Sequence, residues 1–217
     1  MSLTIVCLPH GTPTGDLADD AAHALRSVTL KSLGVAGHFI TGTRLHRNRL
    51  LQPWQGTAAG GPVQLLDVDA MRAAAQREYW YRWHIWHQVV APTRPAQPYW
   101  TFAERHLEDP RKYSLAKAQQ QYRAQPRIAA MLTYNALPNR VMDLPTADLE
   151  AFQTGAHGYA SLGWLTAVPG NALLCLDGSL VVVDRGPYAT RLARLAEANR
   201  RIDTLHRRDA LVALCTR

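Results

Sequence analysis

The apolar positions of this chain change period along its length. "LTIVCL" (3–8) is a β-rich run and predicts a strand. The Gly/Pro loop "PHGTPTG" follows. In "DLADDAAHALRSVTLKSLG" the apolar residues then recur at helical spacing. Asp16 stands at the N-cap position, acids fill the first turn and Gly34 is a stop signal, so one amphipathic helix is predicted there. "VAGHFITGT" predicts a second strand and "QPWQGTAAGGPVQ" a flexible loop. A long helix is predicted from Val68 to Val90, with Asp67 or Asp69 as its N-cap, ended by the three prolines of "APTRPAQP".

The middle reads as helices broken by punctuation. "SLAKAQQQYRA" has Ser114 as a cap, and Pro126 opens "RIAAMLTYNAL". "PTADLEAFQTGAHGYASLGWLTA" is a further helical stretch weakened by Gly155, Gly158 and Gly163. The clearest local signal is "NALLCLDGSLVVVD". Two β-rich runs flank Asp177-Gly178, which predicts a hairpin with a type I′ turn. Both runs are nearly all apolar, which predicts central strands. "PYATRLARLAEANRRIDTLHRR" predicts a helix with Leu192, Leu195, Ala198, Ile202 and Leu205 on one stripe. "ALVALCT" predicts a final strand. Strands therefore cluster at the two ends and helices between them. The expected architecture is one α+β domain over 1–217. A small, mainly antiparallel sheet joins the N-terminal strands to the C-terminal hairpin, and 68–167 form a helical insertion or lobe.

The stretch "EYWYRWHIWHQVV" (78–90) carries three of the chain's six Trp. On a helix, Tyr79, Trp80, Trp83, His84, Trp86, His87 and Val90 fall on one continuous arc. Such an arc is foremost a packing face, so Trp83 and Trp86 are expected to be buried. Trp80, His84 and His87 lie at its edge and form a candidate aromatic platform for bases. His84-x-x-His87 lacks a third ligand in the sequence, and no metal or cofactor is assigned.

Charge changes the picture most. The formal net charge is +7 and the isoelectric point about 9.7. All 24 basic residues except Lys31, Lys112 and Lys117 are Arg. "RLHRNR" (44–49) carries three Arg and a His without an acid, and 111–127 interleave cations with Gln and Tyr. These patterns suit a phosphate track with occasional stacking, and no compact recognition-helix motif for duplex DNA is present. Candidate contacts are Arg44, Arg47, Arg49, Arg111, Lys112, Lys117 and Arg123. The C-terminal Arg residues rank lower, because Glu197, Asp203 and Asp209 stand at spacings that allow pairing.

The expected function is a non-catalytic contact with nucleic acid, RNA or single-stranded DNA, within a larger assembly. One alternative is a small His-dependent enzyme, such as a metal-independent ribonuclease, in which His10, in the loop after one predicted strand, and His38, on another, act as acid and base. Another is a protein-interaction subunit docking through the Trp/Tyr helix. "LPHGTPTGD" lacks the Gly-Lys-Ser/Thr of a P-loop. "HGTP" resembles an oxyanion-hole segment of α/β-hydrolases, but no G-x-S-x-G elbow accompanies it, which excludes that class. Cys7, Cys175 and Cys215 each sit in an apolar run and read as buried thiols. With no membrane span and no secretory signal pattern, the cytoplasm is the expected compartment.

Overall fold

The computed structural model describes residues 1–42, 46–183 and 186–217. The chain divides into two compact units, Met1–Ala75 with Trp164–Arg217, and Gln76–Gly163.

The first unit holds the sheet. Its strands are β1 (Ser2–Leu8), β2 (Ser32–Val35), β5 (Gly60–Pro62), β6 (Ala172–Leu174), β7 (Leu180–Val182) and β8 (Ala210–Thr216). The order is β2-β8-β1-β6-β7, and β5 also pairs with β8. Short strands β3 (Phe39–Ile40) and β4 (Thr57–Ala58) form a separate antiparallel pair. The fold class is α+β. The sheet is mixed rather than mainly antiparallel, because β1 runs parallel to β6. A parallel neighbour needs a long crossover, and the whole chain between β1 and β6 supplies it.

β1 and β8 are central and pair antiparallel over seven residues, from Ser2↔Thr216 to Leu8↔Ala210. Both are covered on two faces, which explains their continuous apolar runs. Helix α1 (Leu17–Arg26) lays Leu17, Ala21 and Leu25, one turn apart, on Val6, Leu8, Ala210, Val212 and Leu214. On the other face Cys7 and Cys175 border a small cleft with Arg201, Thr204 and Leu205 near the end of helix α8 (Tyr188–Asp203). Cys7 is buried, and desolvation, the larger cause, together with the nearby Cys175 pushes its thiol up to about 12. It is a packing residue.

Helix α1 stops at Arg26, well before Gly34. The β-branched Val28 and Thr29 follow, Thr29 has φ +58, and Gly34 lies inside β2. The "flexible loop" (52–64) instead contributes β4 and β5. Their apolar and glycine positions are too short to carry a period. The hairpin forms, but β6 sits one strand in from the edge and β7 is the edge itself, half-buried. Helix α8 follows β7, and the Arg194 guanidinium donates to the Val182 carbonyl at 3.2 Å, capping that edge. In the turn only Gly178 has positive φ, +79. The Gly178 N–H donates to the Cys175 carbonyl at 3.0 Å and the Cys175 N–H to Ser179 at 2.9 Å. This is a three-residue turn closed by a glycine bulge, in place of a type I′ turn.

Helix α2 (Val68–Val90) matches its expected span, and Asp67 caps it by accepting the Ala70 N–H at 2.9 Å. Its second turn holds Arg72, a buried cation. The Arg72 guanidinium donates to Asn199 at 2.8 Å and Asp203 at 2.7 Å on α8, and lies 4.3 Å from the Trp164 ring.

The second unit is helical, with α3 (Tyr99–Glu108), α4 (Leu115–Arg123), α5 (Pro126–Asn135) and α6 (Leu149–Gln153), together with most of α2 and of α7 (Ala156–Thr166). Gly155, at φ +96, breaks the helical stretch predicted over 145–167 into α6 and α7. Ser114 caps α4 through the Lys117 N–H, and Pro126 opens α5. The core is an aromatic stack: Trp86 on Phe152 at 5.0 Å, Phe152 on Tyr159 at 4.0 Å, and Tyr159 against Tyr79 at 4.8 Å. Among the described residues no helix is long and apolar enough to cross a membrane.

The glycine bulge yields a prediction. Nothing lies within 4 Å of where a Gly178 side chain would begin, so any cost is conformational. Gly178→Val should lower stability by about 1–3 kcal/mol through the positive φ alone. An unchanged thermal midpoint would contradict the turn assignment.

Candidate functional site

The β1–β8 register sets the site. Leu8↔Ala210 is its last pair, so the loop leaving β1 and the loop entering β8 emerge side by side. Asp209, just before β8, is buried and binds both. One carboxylate oxygen accepts the His10 N–H at 2.9 Å and lies 3.3 Å from His10 Nδ1. The other accepts the His206 N–H at 2.8 Å. The Val63 N–H donates to the Asp209 carbonyl at 2.8 Å and the Gln64 N–H to the Arg207 carbonyl at 3.0 Å, which ties in the segment after β5. Gly11, at φ +100, turns the first loop away directly after His10.

These loops enclose a cleft of about 570 Å³. Its walls include His10, Thr12, Thr14, Arg49, Arg207 and Arg208. Arg49 arrives on the short turn Arg47–Arg49, which is anchored by the buried Leu50. Leu50 packs so closely on Gly61 that a Cβ there would lie 2.8 Å from its Cδ2. Among the described residues Arg49, Arg207 and Arg208 make no ion pair. Of the acids expected to pair with the C-terminal arginines, one does so with arginines outside the cleft, and the other two are engaged elsewhere. Glu197 pairs with Arg200 and Arg201, Asp203 with Arg72, and Asp209 with His10. Three guanidinium groups without an ion pair thus line the same cleft, and their forked donors have the geometry that matches phosphate oxygens. The exposed acids Asp16, Asp19 and Asp20 open α1 nearby but do not line the cleft. When His10 Nδ1–H points at Asp209, its Nε2 lone pair is available to act on a bound group.

The sequence candidates separate. Arg49 and His10 enter the cleft. Arg44 lies outside the described residues. Arg47 lines a second cleft with Thr41 and Thr57 and donates to the Pro53 carbonyl at 3.3 Å. His38 does not join His10: its Nε2 contacts the Val168 carbonyl at 3.1 Å and its ring meets Phe39 edge-on. The imidazole that neighbours His10 is His206, with ring centroids 5.7 Å apart. In the second unit Arg111 is exposed, Lys112 pairs with Asp109 at 3.2 Å and Lys117 lies over Tyr113. Arg123 lines a cleft of about 610 Å³ with Tyr99, Gln119 and Tyr122. Trp86 is buried and Trp83 half-buried. Trp80 is exposed beside a half-buried His84, and His87 is exposed but stacked on Trp83 at 4.7 Å.

Sequence reasoning ranks Arg207 and Arg208 low, takes Asp209 only as an acid to pair with such arginines, and passes over His206. Their one signal is the polar run "HRRD" directly before an apolar strand. No protein-family model, no curated protein and no solved structure matches the chain.

His38 gives a pH prediction. Burial holds its pKa below the ordinary imidazole value, and the Val168 hydrogen bond only partly opposes this. The unfolded chain therefore binds the His38 proton more readily than the folded one. The stability His38 contributes is present above the ordinary imidazole pKa and is lost as pH falls through the folded value. His38→Gln keeps a donor for Val168. Between about pH 7 and pH 5 its thermal midpoint should fall less than that of the wild type. Parallel curves would contradict the assignment.

Proposed function

We propose that the protein binds the phosphate backbone of single-stranded nucleic acid, RNA or DNA, through the cleft between the β1–α1 loop and the loop entering β8. One observation carries the reading: Arg49, Arg207 and Arg208 line a single cleft and none has an acidic partner among the described residues. Phosphate contacts dominate affinity for such strands, and arginine forks suit them. The net charge of +7 favours encounter with polyanions. The cytoplasm remains the compartment we favour, and three free cysteines agree with a reducing one.

The test is the combined Arg49→Gln, Arg207→Gln and Arg208→Gln variant, titrated with labelled single-stranded oligonucleotides at about 50 mM and about 200 mM salt. Affinity should fall uniformly across sequences. The slope of log affinity on log salt should drop by about 0.7 per lost contact, roughly 2 in all. If the wild type binds nothing at the lower salt, this reading fails. Docking of a protein partner on the exposed Trp80 and Tyr81 edge of α2 then becomes the better account.

A further inference from the structure

We propose that the His10 and His206 imidazoles and the Asp209 carboxylate form a site for one zinc-class divalent ion at the cleft wall. Each of the three side chains offers a ligand atom within 4.8 Å of the other two. His10 Nδ1 and Asp209 Oδ1 stand 3.3 Å apart. That is long for a ring N–H to carboxylate hydrogen bond. Two atoms bound to one tetrahedral ion at about 2.0–2.1 Å lie about 3.3 Å from each other, so this pair already has the spacing of neighbouring ligands.

The surroundings are those of a held ligand set. Asp209 is buried, and its carboxylate is oriented by the His10 and His206 backbone N–H groups, one on each oxygen. Such outer hydrogen bonds fix a ligating carboxylate. The two imidazoles are exposed, with ring centroids 5.7 Å apart. His206 Nδ1 accepts the Arg208 N–H at 3.2 Å, and ion binding at that ring exchanges this contact for a coordinate bond. Two imidazole nitrogens and one carboxylate oxygen favour zinc or cobalt over magnesium or calcium, which take oxygen ligands. Three protein ligands leave a fourth position open. His10 lines the cleft with Arg49, Arg207 and Arg208, so that position falls to water or to an anion held there.

The site needs only the loop geometry and is independent of nucleic-acid binding. Its test is titration of metal-stripped, tag-free protein with Co2+, followed by visible absorption, and with Zn2+ by calorimetry. One equivalent should bind, with the d–d bands of a low-coordinate cobalt site. His10→Ala and His206→Ala, both at exposed side chains, should each weaken binding by at least about tenfold. His23→Ala, exposed on α1, should leave it unchanged. Thermal melts of the variants show whether they fold. The Arg49, Arg207 and Arg208 glutamine variant should keep its Co2+ site, which separates failure of this proposal from failure of the nucleic-acid reading. Absence of binding in the wild type overturns the site. So does equal affinity in folded His10→Ala and His206→Ala.

Discussion

The pairing of β1 with β8 is the constraint on which the first unit depends. Seven residues from one end of the chain meet seven from the other in one antiparallel register. The other strands of the sheet build outward from this pair: β6 on β1, β7 on β6, and β2 and β5 on β8. Both strands are buried on two faces, so a slip of one residue would exchange the side chains facing α1 with those facing α8. Thr4 and Thr216 reinforce the register, their hydroxyls 2.8 Å apart in the buried interior. A closure between distant segments carries a high entropic cost, and near-complete apolar burial along both strands offsets it.

The same register creates the cleft. Where the ladder ends at Leu8 and Ala210, the chain needs a polar group to satisfy the backbone N–H groups of two departing loops. Asp209 serves both. A buried carboxylate is tolerated because it accepts these bonds and faces an imidazole. With Asp209 engaged in this way, Arg207 and Arg208 are left without an acid. Part of the positive character of the cleft thus follows from where the ladder stops, and Arg49 adds to it from the turn before Leu50.

Much of the fold was legible because long periodic segments declare themselves. The α2 span, the Ser114 and Asp67 caps, the Pro126 start and the β8 strand all follow from local rules. What escaped detection was short or long-range. β4 and β5 are two and three residues long, and β5 is Gly-Gly-Pro, so neither carries a period. The apolar β7 reads as central because its cover is α8, a helix whose presence the sequence shows but whose packing on the edge strand no local pattern can foresee. At the site, His10 and Arg49 were visible as a loop histidine and a basic run. Their neighbours Arg207 and Arg208 were discounted, since spacing alone cannot say which arginine an acid will pair with. Helical spacing gives Glu197 to Arg200 and Arg201, and tertiary structure gives Asp203 to Arg72 and Asp209 to His10. His38 was paired with His10 for want of the information that the β1–β8 ladder delivers His206 instead.

The most direct test of the central claim, that this ladder's end is an anion-binding cleft, is amide shift mapping of isotope-labelled protein titrated with a short single-stranded oligonucleotide. The account predicts saturable shifts confined to His10, Gly11, Thr12, Thr14, Arg49, Gln64 and His206 through Asp209. Shifts that cluster instead on α2 and α4, with these residues unmoved, would contradict it.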